Sequence, residues 1–190
     1  MAARHGLEII GFEVAGVEAQ VVREIAAAVD DMVARYPIAV HGIEITDPSG
    51  RIPPRTARSA SPAMPRPATI WMVLDGAAIS THPAATPARR WRRKSRDIVR
   101  PIYRAVVREY GSALDAVGGF RARQEAQRLL ITESLRGGGD LAFSPLNPAL
   151  ALVDAFTEVA LHGDRAGKPA KELHDLLVKM ARPEPTDVPA

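Results

Sequence analysis

The chain has 190 residues, 46% hydrophobic and 25% charged, with a net charge of +3, which suits one soluble domain with room for a core and reads as intracellular. No run approaches the roughly 18 to 20 apolar residues that span a bilayer, and the opening MAARHGLEIIGFEV is not the pattern of a secretory signal. Cysteine is absent, which excludes disulfides, thiolate zinc sites and a Cys nucleophile together.

Residues 7 to 14, LEIIGFEV, are partly alternating and predict a first strand or extended arm. From Val17 the period changes to four, with Val21, Ile25, Val29 and Val33 in register and Val22, Met32 and Tyr36 widening the stripe, so a helix is expected up to Pro37. IAVHGIEI, 38 to 45, reads as a buried strand interrupted by Gly42, and Asp47-Pro48-Ser49-Gly50 closes it with turn chemistry. Residues 48 to 68 are rich in Pro and Arg and poor in apolar groups, which predicts a mobile loop. ATIWMVLDGAAIS, 68 to 80, recovers strand character.

A basic connector at 81–97 follows. Its run Arg89, Arg90, Trp91, Arg92, Arg93, Lys94 and Arg96 offers six cations and an indole to phosphates and bases. An acidic protein surface is an equally good partner for it. From Arg100 to Gly119, Ile102, Val106, Val107, Tyr110, Leu114 and Val117 recur at helical spacing. Phe120 to Leu135 continues as a helix with Ala122, Ala126, Leu129 and Leu130 inward, broken at 136–140. Asn147-Pro148 is a helix start, Leu150, Val153, Phe156 and Ala160 form its buried face, and His162-Gly163 ends it. A last amphipathic helix runs from Lys168 to Met180, and 183–190 reads as a disordered tail.

None of the five histidines, His5, His41, His82, His162 and His174, lies three or four residues from another. No helix therefore offers two imidazoles to one metal, and locally bonded or surface imidazoles are expected. Yet the pentad Arg108-Glu109-Tyr110-Gly111-Ser112 looks like H-E-x-G-H with both histidines replaced. In such a helix two imidazoles at i and i+4 hold zinc, while the Glu between them takes a proton from the metal-bound water. The pentad is followed by Ala-Leu-Asp-Ala-Val-Gly-Gly (113 to 119), and later by Leu-Asn-Pro-Ala-Leu-Ala-Leu-Val-Asp-Ala-Phe-Thr-Glu-Val (146 to 159).

Together these segments resemble the zincin-like metallopeptidase domains of phage and prophage genomes, in which H-E-Y-G-H-A-L-D-x-x-G-G precedes a helix of the type E-A-F-A-D. The resemblance runs across most of the chain from about Val14. It implies an α+β, zincin-like single domain over 1–182, a small sheet with four to five helices, and a site whose first, second and third ligand positions hold Arg108, Ser112 and Asp154. Glu109 would be a vestigial general base, and the strand before the motif helix a peptide-receiving edge. The zinc of active relatives is not expected here, because a guanidinium has no lone pair to give.

The implied function is that of a pseudo-metallopeptidase acting through protein interaction, as a structural or accessory component in the cytoplasm or a virion, with no membrane partner. The alternatives are an active metallopeptidase using Glu109, Asp154 and a distant His with a non-standard metal site, and a basic nucleic-acid-associated module. For Arg108 two courses are open. It either pairs with Asp154 in place of the metal, with Ser112 donating to the same carboxylate, or it joins Arg100 and Arg104 in an exposed basic stripe.

Overall fold

The structure, a computed structural model, describes residues 1–13, 17–46, 69–80, 101–136 and 143–182. The Pro/Arg-rich segment 48–68, the connector with Arg89 to Arg96, and the tail 183–190 lie outside the described residues. Contacts along the chain divide it into two compact units, residues 1–34 with 40–106 and residues 35–39 with 107 onward.

The first unit holds the sheet. Strands β1 (Glu8–Ile10), β2 (Gly42–Ile45) and β3 (Trp71–Leu74) pair in that order. Both ladders are parallel, with Glu8 opposite Gly42 and Gly42 opposite Trp71. Parallel neighbours need a crossover connection, and α2 (Ala19–Arg35) provides the one between β1 and β2. All four residues of the central strand are buried, whereas β3 alternates, with Met72 and Leu74 inside and Val73 exposed. Gly42 is required where it stands, since a Cβ there would lie 2.4 Å from the Trp71 ring and 2.6 Å from the Glu8 carbonyl.

The stripe that α2 buries is Ile25, Ala28, Val29 and Met32, not the strict four-residue series through Val33. A helix of 3.6 residues per turn drifts away from a four-residue repeat, so the buried face alternates threes and fours. The strand expected over 68 to 80 stops at Leu74. The Asp75 carboxylate accepts a hydrogen bond from Ala77 N at 2.9 Å and turns the chain into the short helix α3 (Gly76–Ser80). A four-residue helix, α1 (Ala2–His5), precedes β1 and is tied to α2 through Asp30. That carboxylate meets Arg4 at 2.6 Å and His5 at 2.7 Å.

Helix α4 (Pro101–Val117) buries Ile102, Val106, Val107, Tyr110, Ala113 and Leu114, the face that its periodicity predicts. Its residues from Val107 onward belong to the second unit, with α5 (Arg121–Leu135), α6 (Pro148–His162) and α7 (Lys168–Ala181). The last three pack on one another, and α6, touched by both neighbours, is buried on most of its circumference. Its start is as expected: the Asn147 side chain accepts from Leu150 N at 3.1 Å, with Pro148 in the first turn. Two expected core positions are corrected, because Leu129 and Leu150 are both exposed. The inward stripe of α5 is the narrow series Ala122, Ala126 and Leu130, which turns Leu129 aside, and Leu150 sits in the first turn of α6, at its edge.

Among the described residues, five helices of 14 to 17 residues and a small sheet make a mixed α/β chain. No helix among the described residues is long and apolar enough to cross a membrane.

Candidate functional site

Residues 108, 112 and 115 fall at i, i+4 and i+7 on α4 and share one face. The approach of α6 to that helix is set by Gly111, where a Cβ would stand 3.0 Å from the Phe156 ring. A glycine there lets the two helices come close enough for side chains beside the contact to meet. Arg108 Nη1 donates to Asp154 Oδ1 across the gap. Of the two courses open to Arg108, the contact with Asp154 is the one the structure shows.

The pair differs from its expected form in two respects. The side chains are 38% and 39% exposed, so the ions keep much of their hydration and the cost of burying a lone charge does not arise. Ser112 does not reach the carboxylate, because its Oγ donates back to the Arg108 carbonyl at 3.4 Å, the usual resort of a helical serine. Glu109, next to Arg108, is partly buried. Burial pushes its carboxyl above the usual carboxylate range, and the positive charge of Arg108 works in the opposite sense.

The donor set does not fit zinc. A guanidinium and a hydroxyl occupy the two helix positions, and among the described residues no three His, Cys, Asp or Glu side chains gather. His5 is bonded to Asp30, His41 lies 3.5 Å from Glu8 and edge-on to Trp71, and His174 bridges Tyr36 and Asp175. The Tyr36 ring also meets Phe156 at 4.9 Å, and the Tyr110 hydroxyl donates to the Tyr36 carbonyl. Burial raises the Tyr110 phenol far above its ordinary value, so it stays a donor.

What reading by residue missed is Asp115. Its carboxylate is buried, with Oδ2 accepting from Arg123 Nε at 2.6 Å and Oδ1 buried without a hydrogen-bond partner among the described residues. An unsatisfied buried polar atom costs about 1–3 kcal/mol, which makes it a feature to be explained. The guanidinium of Arg123 lies 4.2 Å from the centre of the Phe120 ring, and Phe120 holds a left-handed backbone, φ 60°, between α4 and α5. Arg108, Ser112, Asp115 and Arg123, with Ala149, Leu150 and Val153, line an open cleft of about 230 Å3. The signal for it in the sequence is the seven-residue step from Arg108 to Asp115. A larger groove of about 510 Å3 runs between α5 and α7 past Leu129, Leu130, Lys168, Glu172 and Leu173.

No family model, no curated protein and no solved structure matches the chain.

Proposed function

We propose that the chain is a zincin-like domain that has exchanged its metal for an internal ion pair, and that it acts through protein interaction rather than peptide hydrolysis. The observation that carries this reading is the Arg108–Asp154 contact. It joins the first and third ligand positions of the motif that the sequence resembles, and the cation in the pair is an organic one. Gly111, the small residue of the same pentad, holds the two helices at the spacing the contact needs. Phage- or prophage-borne accessory proteins are the class in which such a domain is expected.

Glu109 has no assigned chemistry in this reading, because a general base of this type acts on a metal-polarised water. The test is to put the ligands back. With Arg108→His and Ser112→His in one chain, two imidazoles stand one turn apart facing Asp154, and one zinc per chain is expected by metal analysis, against none for the parent protein. A folded double variant that takes up no zinc overturns the zincin reading. Stoichiometric, tightly held zinc in the parent protein overturns the exchange.

A further inference from the structure

We infer that the outward face of α5, with the groove beside it, is a self-association surface whose occupant is a second copy of this chain, α5 lying antiparallel against α5. The starting point is how little of that helix is covered. From Gln127 to Arg136 every position except Leu130 is exposed, and among them Leu129 is 45% and Leu135 82% exposed. Beside Leu129 runs the groove of about 510 Å3, with Leu130, Pro169 and Leu173 in its walls. Apolar surface of this kind, rimmed by charged side chains, marks an interaction site.

The charges along that face identify the occupant. Glu125, Leu129, Thr132 and Arg136 recur at spacings of four, three and four, the seam along which two helices pair. Three of these four residues line the groove. The seam is acidic at one end and basic at the other, and its spacing is the same read from either end. In a two-fold contact residue i meets j and j meets i, so antiparallel copies in this register set Glu125 opposite Arg136 twice, with Leu129 against Thr132 between them. Parallel copies in register set like charges against each other, which is unfavourable. Helix α7 adds to the match. It runs antiparallel to α5, because Arg121 Nη2 donates to the Met180 carbonyl at 3.1 Å at one end, while Arg136 and Lys168 share the groove at the other. The partner's Glu125 therefore arrives between two cations. Within one chain Glu125 pairs with Arg128 at 2.6 Å, but both side chains are exposed, and such a pair is too weak to hold Glu125 back. With one acid and one base the seam has no net charge, so it favours neither nucleic acid nor an anionic lipid surface.

The surface shares no residue with the Arg108–Asp154 pair and does not rest on the zincin reading, so either can fail without the other. From Glu125 to Arg136 the seam is about 16 Å long at 1.5 Å per residue. A contact of that length lies at the low end of interface sizes, and a weak, concentration-dependent dimer is expected. The experiment is sedimentation velocity on the full chain from about 5 to about 500 μM, a range suited to weak association. The parent protein should pass from monomer toward dimer across it. Glu125→Arg and Arg136→Glu should each weaken self-association at least about tenfold, about 1.4 kcal/mol. Mixed in equal amounts, these two variants should dimerise with each other, because opposite charges again face across both ends of the seam. Leu129→Lys should abolish the dimer alone or mixed, and it keeps the test available if a charge reversal disturbs the end of α5; circular dichroism checks that each variant is folded. A parent protein that stays monomeric throughout means that something else covers the face, or nothing does, and the inference fails. It fails equally if the folded single reversals dimerise like the parent, or if their mixture stays monomeric.

Discussion

Removing Arg108 tests both the pair and its setting. Two unit charges 4 Å apart attract by about 1 kcal/mol at the dielectric constant of water and about 4 kcal/mol at an effective value near 20. Exposures of 38% and 39% put this pair toward the first limit, and ordering two long side chains offsets part of the gain. A net coupling of about 0.5–1 kcal/mol is expected, the upper part of the range for exposed ion pairs. The measurement is a double-mutant cycle of Arg108→Ala, Asp154→Asn and the two combined, followed by urea unfolding. At about 1 M salt, where the screening length falls from about 10 Å to about 3 Å, the coupling should shrink by half or more. A coupling of zero at low salt would refute the expected contribution of the pair. One above about 3 kcal/mol, indifferent to salt, would mean a desolvated pair and would refute the argument from exposure.

At Glu109 the raised pKa means that the folded state binds its proton more readily than the unfolded chain does. The ionised side chain therefore detracts from stability above the folded pKa, and the loss is recovered as pH falls through that value toward the unfolded one. Glu109→Gln should accordingly raise the melting temperature at neutral pH and make no difference below the ordinary Glu range, which melting curves across pH will check; a lower melting temperature at pH 7 contradicts it. Gly111→Val should cost about 1–3 kcal/mol by overpacking against Phe156 and abolish the coupling between Arg108 and Asp154 in the same cycle. Asn147→Ala removes the acceptor for Leu150 N and should cost about 1 kcal/mol by chemical denaturation, whereas Asn147→Asp should retain most of the stability.

The five long helices are legible in the sequence because a helix is specified by neighbours three and four residues apart, and α4 runs almost as its apolar spacing dictates. The same local geometry was enough to place Arg108, Ser112 and Asp115 on one face. Which partners those side chains find is a different matter. Asp154 lies 46 residues from Arg108, and its position opposite came from a family resemblance, not from periodicity. The exposure of the pair, the return of Ser112 to its own helix, the parallel pairing of the strands and the turn at Asp75 were decided by tertiary structure. So was the burial of Asp115 against Arg123, two helices meeting through a Gly-Gly-Phe corner. Periodicity fixes which side of a helix faces inward, but the depth to which a polar group is buried depends on the volume of residues far away in the chain, such as the Phe156 ring against Gly111.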